Sequence, residues 1–167
     1  IYIAPKPKKK DPNRHSKIIL EDPFKIPKEF HKYDKFAQNT KLLKGKILRI
    51  DVNKKNPKYG IPKTNIFKGK NEGRDEIYAW GFRNPFRISF DRIGNGDMFV
   101  SGVAESFWET VYLVNKQGNY GWAIWEGNHC YDRNDPYNPP LKCSLKGSLG
   151  EMINFPIVEY PNWSVKR

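Results

Sequence analysis

An all-β meander is the architecture this sequence predicts, and three observations predict it. Apolar and polar residues alternate with a period of two in short runs. These runs recur about every 10 residues, and turns bearing Gly and Asn separate them. Such spacing suits a sandwich, a barrel or the blades of a propeller. No stretch carries the 3.6-residue period of a long amphipathic helix.

Each element follows from local chemistry. Ile1-Tyr2-Ile3-Ala4 reads as part of a strand, with neither an initiator Met nor a signal peptide, as expected of a piece of a longer protein. Residues 6–35, from KPKKKDP to DPFKIPKEFHKYDK, hold Pro and Lys without a period. They read as an extended, mobile loop or insertion, because Pro removes donors and the charges repel. In GKILRIDV the apolar Leu48, Ile50 and Val52 alternate with Arg49 and Asp51, which predicts a strand from Lys46 to Val52. Pro57, Gly60 and Pro62 mark Asn53 to Asn71 as a loop.

Four strands are then expected in quick succession, at Glu76 to Trp80, Phe86 to Phe90, Asp97 to Gly102 and Thr110 to Val114. Asn95-Gly96 suits the hairpin between the second and third, since both residues tolerate positive φ. A turn at Gln117 to Trp122 leads into Trp122 to Trp125. A Pro-rich loop from Asp135 to Leu149 and a short strand at Ile157 to Tyr160 complete the chain.

Charge divides the sequence. Residues 1–75 hold 21 Lys and Arg against 8 Asp and Glu, and residues 76–167 hold 9 against 10. A basic half raises nucleic acid or an anionic surface as a partner. Single-strand readers, however, interleave cations with stacking aromatics, and all five Trp lie in the neutral half. Nucleic-acid binding is therefore not expected, and Lys8 to Lys10 read as a solvated run that could otherwise dock acidic glycans or a protein. No apolar run approaches the roughly 20 residues of a membrane-spanning helix.

The two cysteines, Cys130 and Cys143, sit in a loop-like stretch, where a disulfide would close a ring of about 14 residues worth roughly 3 kcal/mol. Zinc is the weaker reading, because His15, His31 and His129 are scattered and no CxxC is present. With Asn162-Trp163-Ser164, a glycosylation sequon, the cysteines point to an oxidising, secretory compartment and a secreted glycoprotein.

The candidate site lies in EIYAWGFRNPFRISFD. Gly81 permits a sharp bend, and Pro85 pushes Asn84 toward extended backbone, so the knot Gly81 to Pro85 connects two strands at a sheet end. That presents Arg83 away from the core, and its planar fork suits a carboxylate. One reading is an anion-binding corner. The other is that Arg83 pairs with Glu76 or Asp91 and secures the turn. Trp108 and Glu109 read as a packing Trp and a strand-edge acid, and Tyr120 and Trp122 as core anchors.

The succession GKILRIDV, EIYAWGFRNPFRISFD, GDMFVSGVAESFWETVYLV and GNYGWAIWEG resembles the glucose/sorbosone dehydrogenase family. The later NYGW, EG and CYD, up to FPIVEYP, look more like its hedgehog-interacting-protein-like animal branch. The resemblance covers Gln38 to Pro161. It implies an all-β fold, a fragment of about three blades of a six-bladed β-propeller, with residues 1–35 a partial strand plus the basic insertion and residues 36–167 the partial propeller. Active members are PQQ- and Ca²⁺-dependent sugar dehydrogenases. By resemblance, Arg83 and Asn84 match the pair that contacts PQQ, a tricarboxylate. Ser101 to Glu105 stands where the family commonly reads G-D-V-G-Q and binds calcium through main-chain carbonyls, which would make Val103 and Ala104 the metal ligands.

The departures are specific. Gly102, Ala104 and Glu105 replace the family's Asp, Gly and Gln. PKPKKKDPNRHSK stands where a Gly- and Asp-rich mouth loop is usual. The family's catalytic histidine lies upstream of the matched strand, and neither His15 nor His31 sits at its position. Two functions follow as expectations. One is a secreted, non-catalytic binding propeller of the hedgehog-interacting type, engaging an extracellular protein or a sulfated glycan. The other is a sugar/aldose dehydrogenase acting on a sugar substrate.

Overall fold

The computed structural model describes residues 2–3, 34–54 and 59–162. The Pro- and Lys-rich segment, apart from its last two residues, lies outside them. So do His15, His31, and Trp163 and Ser164 of the sequon.

Strands β1 (Tyr2–Ile3), β2 (Lys46–Arg49) and β3 (Ile77–Trp80) form an antiparallel sheet in the order β1-β2-β3. Among the described residues between β1 and β2 stands a short helix, α1 (Asp34–Gln38). The expected strand from Lys46 to Val52 ends at Arg49, and its continuation is one bridge from Asp51 to Gly60. The reason is local: the Asp51 carboxylate accepts the Asn53 amide at 3.0 Å, so the chain turns instead of pairing.

A complete antiparallel blade follows, built from β4 (Pro85–Phe90), β5 (Met98–Gly102), β6 (Trp108–Leu113) and β9 (Val158–Pro161), in the order β4-β5-β6-β9. The β4–β5 hairpin closes at the Asn95-Gly96 turn. There Asp91 accepts the amides of Ile93 and Gly94 at 3.0 and 2.9 Å, which hold its carboxyl below the usual range. A ribbon of β7 (Trp125–Glu126) and β8 (His129–Cys130) completes the strands. Pairing starts only at Trp125, because the preceding residues turn: the Ile124 and Trp125 amides both donate to Gly121 O, at 2.7 and 2.9 Å. Cys130 and Cys143 form the disulfide, so the zinc reading falls.

The core lies between the two sheets. Ile47 and Ala79 face Met98, Val100 and Tyr112, with Phe82, Val114 and Tyr120 filling the interval. Phe82 stacks on Tyr120 at 4.8 Å and meets Tyr112 edge-on at 5.4 Å, the offset and T-shaped geometries aromatic quadrupoles favour. Buried Asn119 ties this core to its surroundings, accepting the Gly121 amide at 3.0 Å and donating to Glu151 at 2.6 Å. Tyr120 and Trp122 are buried, as anchors should be.

Candidate functional site

Everything about the knot follows from one buried ring and one bend. Phe82 is pulled into the core, so the residues on either side must change direction. Gly81 does so with φ of +79°, where a Cβ would collide with Asn119 Oδ1 and lie 2.8 Å from the main-chain nitrogens of Tyr120 and Gly121. Pro85, which cannot donate, then opens β4 at the edge of the blade. Arg83 is left facing outward.

The four candidate residues come together. The Val103 amide donates to Asn84 O at 3.0 Å, and Arg83 Nη1 donates to Val103 O at 3.2 Å. Next to Val103, Ala104 is buried, with its amide directed at Glu109 Oε2 at 3.1 Å. Glu109 is thus more than a strand-edge acid. Arg83 does form an ion pair, but with neither Glu76 nor Asp91: its Nε donates to Glu105. Arg133 reaches the same carboxylate at 3.4 Å. Two guanidinium groups thus converge on one acid.

Glu126 is the residue that sequence reasoning missed. Its buried carboxylate accepts three consecutive main-chain amides, from Glu105 and Ser106 at 2.7 Å each and from Phe107 at 2.9 Å. Charge-assisted bonds of this kind are roughly twice as strong as neutral ones. They set the β5–β6 loop, and with it the position of Glu105 beneath Arg83. Its only signal in the sequence is an acid set between Trp125 and Gly127, in the aromatic run AIWEG.

As this chain builds it, the corner already engages the groups that a tricarboxylate and its calcium would use. Arg83, the fork such a ligand would need, is engaged by the chain's own carboxylate, and the Val103 carbonyl accepts from that same guanidinium. The cleft bounded by Arg83, Val103, Ala104, Trp108 and Glu126 leaves about 20 Å³ free, room for one water.

Comparison with known proteins places these features in a lineage. The family model described as Glucose / Sorbosone dehydrogenase matches residues 28–143. The HIPL2 protein of Arabidopsis thaliana is 34% identical over 143 residues, covering 79% of this chain and 20% of that protein. The HIPL1 protein of the same plant is 41% identical over 136 residues, covering 75% and 19%. This chain therefore spans about a fifth of the length of those relatives. Among solved structures, the PQQ-bound form of Aldose Sugar Dehydrogenase from Streptomyces coelicolor superposes with a TM-score of 0.52 at 21% identity, covering 77% of this chain and 29% of that one. The fold is accordingly part of a β-propeller.

Proposed function

The chain belongs to the glucose/sorbosone dehydrogenase family, and on that premise we propose that it is part of a secreted, non-catalytic propeller of the hedgehog-interacting type that binds an extracellular partner. One observation carries this reading: Glu105 occupies the Arg83 fork. Where the family commonly has a neutral Gln, this chain has an acid that does to Arg83 what a ligand carboxylate would do. Any such ligand has to break an existing ion pair and meet the repulsion of Glu105. The disulfide supports an oxidising compartment.

A second reading, a PQQ- and Ca²⁺-dependent sugar dehydrogenase, draws support from the convergence of Arg83 and Arg133, whose two charges exceed that of Glu105. In that reading Arg83 and Asn84 hold the cofactor, which supplies the hydride acceptor.

Calorimetric titration of the full-length protein with PQQ, with and without Ca²⁺, separates the two. The expected result is no binding by the natural protein and measurable calcium-dependent binding by Glu105→Gln. Calcium-dependent binding by the natural protein that Arg83→Ala abolishes would establish the dehydrogenase reading instead, and an aldose panel would then identify its substrate.

A further inference from the structure

We propose that the cleft on the disulfide loop is a binding site for a neutral glycan chain. Its free volume is about 730 Å³, within the range of about 300 to 1,000 Å³ typical of ligand sites. The disulfide joins Cys130, at the end of the ribbon, to Cys143, and the loop it closes supplies Tyr137, Asn138 and the Pro139-Pro140 wall. Opposite stand Trp125, Asn128 and His129.

Three aromatic rings line the cleft, each secured from behind. Trp125 meets Phe155 edge-on at 4.9 Å, and its Nε1 donates to Ser144 O at 2.7 Å. His129 stacks on Trp108 at 4.1 Å, with Nε2 3.0 Å from Glu159. Tyr137 packs against Phe107 at 5.0 Å. Rings held this way lose little freedom when a ligand arrives.

The chemistry of the lining narrows the ligand. No Asp, Glu, Lys or Arg lines the cleft, which disfavours a sulfated or otherwise charged partner. Asn128 carries an amide that both donates and accepts, and Asn138, whose Nδ2 donates to Asp135 at 3.0 Å, keeps its amide oxygen as an acceptor. Aromatic faces beside amides, without net charge, suit pyranose rings: the C–H face lies on a ring and the hydroxyls bond to the amides. A proline-rich peptide would also find an aromatic cleft. However, the indole donor that its carbonyls would seek is already committed to Ser144.

This inference names the partner's class for the binding reading above and rests on it. The cleft shares only Trp125 with the lining of the Arg83 corner, so glycan binding and PQQ binding are read independently. The test uses the full-length protein, saturation-transfer NMR and calorimetry. The probes are cellohexaose, mannohexaose, chitohexaose and laminarihexaose, with a proline-rich decapeptide alongside. At least one hexasaccharide is expected to bind, with affinity lowered about tenfold by Tyr137→Ala. Asn128→Ala should weaken it too, and the double Cys130→Ser, Cys143→Ser change should abolish it while the blade stays folded by circular dichroism. Failure of all four saccharides to bind, binding untouched by both single variants, or binding of the peptide instead would each overturn the proposal.

Discussion

Lys46 shows how much one side chain can be asked to do. It has no exposed surface, and its Nζ donates to the carbonyls of Phe36, Ala37 and Lys44 at 2.7, 2.9 and 2.8 Å, joining the end of α1 to the start of β2. Burial pushes its pKa from the ordinary 10.5 down to about 7. Between those values the unfolded chain binds more protons than the folded one, so the Lys46 contribution makes stability rise with pH across that window. Three carbonyls ask for three N–H donors and the neutral amine has two, which opposes the gain and keeps it to about 1 to 3 kcal/mol. Urea midpoints at pH 7 and 9.5 should rise for the natural protein and flatten for Lys46→Met; an unchanged slope in the variant would rule this assignment out. At the same scale, the outward aim of Arg83 was legible from Gly81 and Pro85. Its partner was not, because Glu105 comes close only when β4 pairs with β5. The nearer acids are spent elsewhere, Glu76 on Arg74 and Tyr59, and Asp91 on its own turn.

Among the elements, those whose signal is local were read closely and those that depend on a distant neighbour were not. The β4–β5 hairpin follows from alternation plus Asn95-Gly96, and its strands lie within a residue of expectation. Trp122 to Trp125 carries equally apolar residues, yet it turns and pairs only at its end, because the partner is His129–Cys130. The β5–β6 loop makes the same point, since its shape comes from Glu126 on another strand. Replacing Glu126 by Ala strands three amides in a buried loop and should lower stability by roughly 2 to 4 kcal/mol. Urea unfolding measures that loss. Hydrogen exchange at Glu105, Ser106 and Phe107 should quicken while the amides of β5 hold, and unchanged exchange at all three would show that the carboxylate does not hold the loop.

At the scale of the molecule, the four-stranded blade has two unpaired edges among the described residues, β4 and β9. Both carry exposed apolar residues, Phe86 and Phe90 on β4 and Val158 and Tyr160 on β9. Open edges of this kind invite pairing with another chain. The 167-residue chain expressed alone is therefore expected to self-associate by light scattering, whereas a protein of the relatives' length in which both edges are covered is not. A monodisperse, cooperatively unfolding isolated chain would show that the edges are protected by some other means. The sequence alone determined the strand run, the hairpin turn, the propeller lineage and the exposure of Arg83, since each is written in adjacent residues or in the order of motifs. Only the tertiary structure decided that Arg83 and Arg133 meet on Glu105, that Glu126 shapes the loop beneath them, and that the disulfide loop borders an open aromatic groove. A carboxylate or a ring selects its partner by distance and burial, and those are set by how the sheets pack.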